Sequence, residues 1–93
     1  MGDKDIFYTN LKNRLEDTTK FPSDYLFKFI VSSEENQVEE VESLFDNIGA
    51  VINTKKSKTG KYVSVSIVLN VENADTVIKY YLKAEKIKGI ISL

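Results

Sequence analysis

Residues 62–70 read Tyr-Val-Ser-Val-Ser-Ile-Val-Leu-Asn. Val65, Ile67 and Leu69 alternate with Ser64, Ser66 and Val68, a period of two that a helix would scatter around its circumference. A strand with this pattern keeps one face in a core and the other in water, so the chain must build a sheet packed on one side. The run before it, residues 50–56, is a strand joined to it by Ser57-Lys58-Thr59-Gly60-Lys61. Gly60 supplies the left-handed position that longer hairpin loops need.

The rest of the chain supplies partners for that hairpin. Residues 25–31 are aromatic and β-branched, bounded by Pro22-Ser23-Asp24 and Ser32-Ser33. Tyr25, Phe27, Phe29 and Val31 share one face and Leu26, Lys28 and Ile30 the other, with the aromatic face expected in the core. Residues 32–48 predict a helix, opened by the capping-box pair Ser32 and Glu35 and closed by Gly49. Its buried stripe is Val38, Val41, Leu44, Phe45 and Ile48. Asn73 can cap another helix, whose stripe is Ala74, Val77, Ile78, Tyr81 and Leu82, with Tyr80 pointing elsewhere. A fourth strand is expected over 87–93, with Gly89, Ile91 and Leu93 on one face and Ile90 and Ser92 on the other. Before all of these, residues 3–18 read as a helix capped by Asp3 or Asp5, with a thin stripe of Phe7, Leu11 and Leu15 that must dock to persist. Pro22 holds Phe21 extended, so that helix ends before it.

After the first helix the order is β-α-β-β-α-β, the split βαβ pattern of ferredoxin-like domains. The expected fold is α+β: a four-stranded antiparallel sheet with two helices on one face, plus the extra N-terminal helix. Ninety-three residues allow one domain, 1–93, with 3–18 as its helical extension. Right-handed crossovers put the first and third strands side by side in the middle. The uncovered face then gathers Leu26, Lys28, Ile30, Tyr62, Ser64, Ser66 and Val68, with Ile90 and Ser92 from the fourth strand. That mixture is too apolar for idle surface and too polar for core. The N-terminal helix folded back, a second subunit, or a ligand or partner could each occupy it.

Composition removes most catalytic chemistry. The chain has no histidine and no cysteine, so the commonest general base, the thiol nucleophile and the usual zinc ligands are absent. Gly60-Lys61 lacks the spacing of a phosphate-binding loop. A Ser–Lys pair of Lys28 with Ser64 or Ser66 would need a desolvated lysine and an oxyanion hole that an open sheet does not supply. No catalytic residue, metal ligand or cofactor is expected. Glu35, Glu39 and Glu42 lie on one helix without loop carbonyls to complete a cation shell, and read as a solvated face. Residues 21–48 carry a net charge of −6 and residues 49–70 a net +4. This is read as two solubilising surfaces, against a docking patch for an anionic partner or head-to-tail self-association. RNA-recognition domains share this strand order, and Gly60-Lys61-Tyr62 echoes the start of their third-strand motif. Yet Tyr62 is the one aromatic on the open face and Ser64 stands where a second ring is needed, which disfavours nucleic acid. No run is long enough for a transmembrane helix and the N-terminus is polar and acidic. No membrane association and a cytoplasmic location are expected.

Phe21-Pro22 leading into Tyr25-Leu26-Phe27-Lys28-Phe29, together with residues 57–67 from Ser57-Lys58-Thr59-Gly60 to Ile67, resembles the YbeD-like family of small bacterial proteins of unknown function. The opening Phe7-Tyr8-Thr9-Asn10-Leu11-Lys12 is similar to that of its Bacteroidetes-type members. The resemblance implies a ferredoxin-like fold similar to the ACT regulatory domains of amino-acid-metabolism enzymes, and by analogy a regulatory module that binds a small molecule or a protein. The family's recurring Lys, Gly, Tyr and two Ser map onto Lys28, Gly60, Tyr62, Ser64 and Ser66. ACT domains commonly bind ligand at a glycine-containing turn after the first strand. Here that turn is Ser32-Ser33-Glu34, acidic and without glycine, so the usual effector position does not carry over.

The functional expectation is a non-enzymatic regulatory or binding module using the open face, with Lys28, Gly60, Tyr62, Ser64 and Ser66 as its binding residues. The alternatives are a homodimerisation surface with no ligand and a weak single-stranded RNA binder.

Overall fold

The structure is a computed structural model that describes residues 2–34 and 36–93. Its elements are α1 (Asp3–Thr18), β1 (Ser23–Ser32), α2 (Gln37–Leu44), β2 (Val51–Lys56), β3 (Tyr62–Val71), α3 (Ala74–Ala84) and β4 (Ile91–Ser92). The sheet has the order β2-β3-β1-β4 with every neighbouring pair antiparallel, as the split βαβ order requires. The central pair carries the fold. β1 and β3 register over ten positions, from Ser23 against Val71 to Ser32 against Tyr62. Directly opposed residues share a face, so the aromatic face of β1 meets the apolar face of β3. Phe27, Phe29, Val31, Val65 and Ile67 are essentially inaccessible.

The helices close that face. α2 contributes Val41, and Phe45 just beyond its end; α3 contributes Ala74, Val77, Tyr81 and Ala84. Asn73 caps α3 as the sequence predicts, its Oδ1 accepting from the Thr76 N–H at 2.9 Å. The α3 stripe differs in detail. Leu82 is exposed, Ala84 is buried instead, and Tyr80 stacks on Phe45 at 4.8 Å between ring centroids. A ring on the flank of a helix reaches sideways to a neighbouring element, which a simple stripe does not anticipate.

α2 is shorter than expected. β1 continues to Ser32, and helix begins only at Gln37. The Ser32 hydroxyl accepts from the Glu34 N–H at 3.2 Å. The expected capping box depends on Glu35, which lies outside the described residues. Gln37, buried, takes over the junction: its Oε1 accepts from the Ser32 N–H at 2.9 Å and its amide nitrogen donates to the Lys88 carbonyl. It thus ties the end of β1 to the approach to β4. α2 also ends early, at Leu44, and the following turns use positive φ at both Asn47 and Gly49. Ile48, placed in the buried stripe by sequence, is exposed there.

β4 is two residues rather than seven. Ile87 still packs in the core, but Gly89 turns the chain with φ of 77°. Ile91 then pairs with Ile30 and Ser92 with Phe29. The face assignment is therefore the reverse of the one expected for the open side. Ile91 stands on the open face, Ser92 turns to the helix side and Ile90 is half-buried against the core. The irregular turn at Gly89 breaks the alternation that the sequence reading extended through it.

The N-terminal helix packs beside α3, on the helix side of the sheet. Tyr8 makes the contact: its ring stacks 6.4 Å from that of Tyr81 and its hydroxyl donates to the Glu85 carboxylate at 3.0 Å. Lys4 pairs with Glu85 as well, and Lys12 with Asp75 at 2.8 Å, which favours the Lys12 ammonium. Leu15 is buried, Leu11 half-buried and Phe7 exposed. Gly2 occupies the N-cap position, so Asp3 and Asp5 act in the first turn, where carboxylates suit the helix dipole.

Two measurements check this arrangement. Ile67→Val is expected to lower unfolding free energy by about 1 kcal/mol, and Val68→Thr to leave it within about 0.5 kcal/mol, by urea titration. Equal losses would mean that the core face is assigned wrongly. The second concerns α1. Burial, then the bond to Glu85, push the Tyr8 phenol from 10.0 up to about 12. Burial and the bond to Tyr25 raise Tyr81 in the same direction. A phenol raised in the folded state contributes stability that is complete below its ordinary value and is lost as pH climbs through the folded one. Stability should therefore fall between pH 10.0 and about 12. Tyr8→Phe should flatten that slope and remove one late phase from the ultraviolet tyrosine titration. Loss of a phase at the ordinary phenol value, with the late phase kept, would show that Tyr8 is free in water.

Candidate functional site: the open sheet face

Among the described residues the helices lie on one side of the sheet and none covers the opposite face. The register arranges it in rows. Val51, Val68 and Leu26 are opposed in turn across β2, β3 and β1. All three are exposed, so they form an unbroken apolar row on the surface. The next row is polar: Asn53, Ser66 and Lys28. The third is mixed: Lys55, Ser64, Ile30 and Ile91. Tyr62, opposite Ser32, begins a fourth row and is 52% exposed. An apolar row beside a polar one offers both dehydration energy and hydrogen-bond direction to whatever lies on it.

Four of the five expected site residues are thus on one face. Lys28 and Ser66 are direct cross-strand neighbours. Ser64 sits one row on, its hydroxyl donating to the Lys55 carbonyl at 3.3 Å. Tyr62 and Ser64, with Ile30, Lys55, Lys56 and Lys58, line a shallow depression of about 350 Å³ where β2 and β3 approach the hairpin. The strand β2 contribution was missed in the sequence reading, although the alternation of Val51, Asn53 and Lys55 carries it. It changes the electrostatics. Lys28 and Lys55 lie on the face and Lys56 and Lys58 at its rim, so four cations surround the polar rows, while Asp24 sits at the far end held by the Asn70 amide at 3.1 Å.

Gly60 is placed differently. It lies at the hairpin tip with φ of 74°, its N–H donating to the Ser57 carbonyl at 3.0 Å. Its carbonyl accepts from the Ser33 hydroxyl, and Ser33 N–H reaches the Lys61 carbonyl at 2.9 Å. The tip is thereby pinned to the end of β1. Among the described residues no group of three or more histidine, cysteine or acidic side chains could hold a metal ion. Glu39 and Glu42 line a separate surface depression with Asp46. No helix among the described residues is long and apolar enough to cross a membrane.

Strand order, crossover pattern and one-sided helix layer define a ferredoxin-like α+β domain. Residues 16–93 match the model of a family described as a protein of unknown function, DUF493. The chain belongs to that family, the YbeD family to which its sequence motifs pointed. No curated protein matches the chain. Among solved structures it is similar to the ACT domain of the GTP pyrophosphokinase of Chlorobium tepidum, at 13% identity and a TM-score of 0.54. That match covers 76% of this chain and 100% of the other. At that identity the likeness concerns the fold.

The geometry separates Gly60 from its supposed fellow binding residues. Gly60→Ala forces a side chain into a left-handed conformation and should lower stability by about 1 kcal/mol. Ser66→Ala, on the exposed rows, should leave the urea midpoint unchanged. A Gly60→Ala protein of wild-type stability would contradict the turn-forming role.

Proposed function

We propose that this protein is a non-enzymatic regulatory or interaction module of the cytoplasm that binds a protein or small-molecule partner on the open sheet face. The observation that carries the reading is the docking of α1 against α3. The chain has an N-terminal helix with apolar residues to spare, and it is spent on the helix side. The row of Val51, Val68 and Leu26 stays in water beside Lys28 and Lys55. In this reading the apolar row supplies dehydration, Tyr62 a flat contact, Ser64 and Ser66 hydrogen bonds, and the lysines attraction for acceptor or anionic groups. The lack of histidine and cysteine and the openness of the Lys28–Ser66 pair support a role without catalysis. The regulatory character rests on analogy with the ACT domain alone.

The same apolar row also favours a second reading, a homodimer formed face to face. The two are separated by light scattering over a range of concentrations, with Val68→Lys as the variant that breaks the row. A mass that stays monomeric removes the dimer. The module reading is tested by quantitative capture from native lysate with wild type beside Lys28→Ala/Ser64→Ala. The double variant should unfold at the wild-type midpoint and lose about tenfold or more in partner retention. Equal retention by both proteins would overturn it.

A further inference from the structure

The depression of about 350 Å³ at the hairpin end of the open face is surrounded by donors. β2 and the loop after it bring Lys55, Lys56, Ser57 and Lys58, and β3 brings Tyr62 and Ser64. Among the described residues its lining holds no carboxylate, and none of its three lysines is ion-paired. Other lysines of the chain are partnered. Lys4 and Lys12 reach Glu85 and Asp75, and Lys79 and Lys83 lie over the Tyr80 ring, 5.9 and 5.4 Å from its centroid. Three ammonium groups around one hollow repel one another until an anion lies between them. The hairpin holds them there: the Ser57 N–H donates to the Tyr62 carbonyl at 2.9 Å, and the Tyr62 N–H to the Ser57 hydroxyl at 3.2 Å.

The body of the hollow is apolar. Ile30, opposite Ser64, closes it on the β1 side, and the Tyr62 ring stands uncovered beside it. The lysine stems add hydrocarbon below their charged heads. A bare ring offers a stacking face to a planar body, and lysines act as point charges for phosphate. One carboxylate needs one cation, whereas three lysines without acids suit a multiply charged group. A volume of about 350 Å³ is at the small end of ligand sites, which run from about 300 to 1,000 Å³, and has room for one ring with its phosphates. Along the face from Ser64, the next rows hold Ser66 and Lys28 and then Val51, Val68 and Leu26, with no second ring. A continuous nucleic-acid strand therefore lacks the repeated stacking platform that it uses elsewhere.

We propose that this depression binds a nucleoside monophosphate or diphosphate, with the base on the Tyr62 ring and the phosphates among Lys55, Lys56 and Lys58. The proposal rests on the open-face reading and gives the hairpin end of that face a ligand class. Gly60-Lys61 lacks the spacing of a phosphate-binding loop, so the side chains rather than a backbone cradle hold the charge. The Ser57 and Ser64 hydroxyls lie within the lining as further hydrogen-bonding groups. Lys28, two residues along β1 from Ile30, stands outside it.

The test titrates adenosine diphosphate into the isotope-labelled full chain in metal-free buffer, read by amide chemical shifts, with adenosine and inorganic pyrophosphate as its two halves. The nucleotide should shift the amides of Ser57, Lys58, Tyr62 and Ser64 and bind about tenfold or more tightly than either half. Lys55→Gln/Lys58→Gln should weaken it by about tenfold or more, while Lys79→Gln/Lys83→Gln, which removes the same charge from α3, should leave it unchanged. Tyr62→Leu should bring the nucleotide down to the level of pyrophosphate. Four results would each overturn the proposal: pyrophosphate binding as tightly as the nucleotide, an equal loss in the α3 variant, no shift of these amides at millimolar nucleotide, or a single-stranded oligodeoxythymidylate that binds more tightly and shifts Leu26, Lys28 and Val68 as well. The lysate experiment keeps the two readings apart. Partner retention lost in Lys28→Ala/Ser64→Ala, with no nucleotide bound by wild type, removes this ligand class and leaves the open-face reading standing.

Discussion

The antiparallel pairing of β1 with β3 is the constraint from which the rest of the structure follows. A single register sets both faces at once, because a slip of one residue would turn every side chain over. In the observed register Phe27 meets Ile67 and Phe29 meets Val65, and both helices of the split βαβ unit must cover that side. The same register places Leu26 opposite Val68 and Lys28 opposite Ser66, so it creates the bare face as surely as it creates the core. Burial of the rings around Phe27, with Phe45 at 5.2 Å and Tyr81 at 5.3 Å between centroids, then locks the helix layer in place.

What could be read from the chain is what alternation and capping encode. The strands, their central pairing, the core face and the Asn73 cap rest on local patterns with a stated period. The parts that departed depend on tertiary geometry. Gln37 is a polar residue that the core accepts only because Ser32 and Lys88 satisfy its amide, and no local pattern announces that. The face of β4 was reversed because Gly89 turns the chain inside a run that looks continuous. The destination of α1 was open because Phe7 and Leu11 suggest a surface to dock on without saying which. Tyr8, beside that stripe, decides it by stacking on Tyr81 and bonding Glu85. The placement of Lys28, Tyr62, Ser64 and Ser66 on one face was legible through the period of two, while Gly60 lies at the hairpin tip.

The placement of α1 is what leaves the second sheet face without a helix among the described residues. A helix laid over the open face would have made this a closed three-layer domain with nothing left to bind. Instead α1 widens the helix layer, and the apolar row of Val51, Val68 and Leu26 stays exposed on the other face.

α1 docks on α3 and leaves the open face in solvent. Methyl and aromatic NMR in the presence of a soluble paramagnetic agent tests it most directly. This docking predicts nuclear Overhauser contacts between the rings of Tyr8 and Tyr81, and strong solvent relaxation of the methyls of Leu26, Val51 and Val68. Contacts from Phe7 or Leu11 to those methyls, with the methyls shielded from the agent, would contradict it.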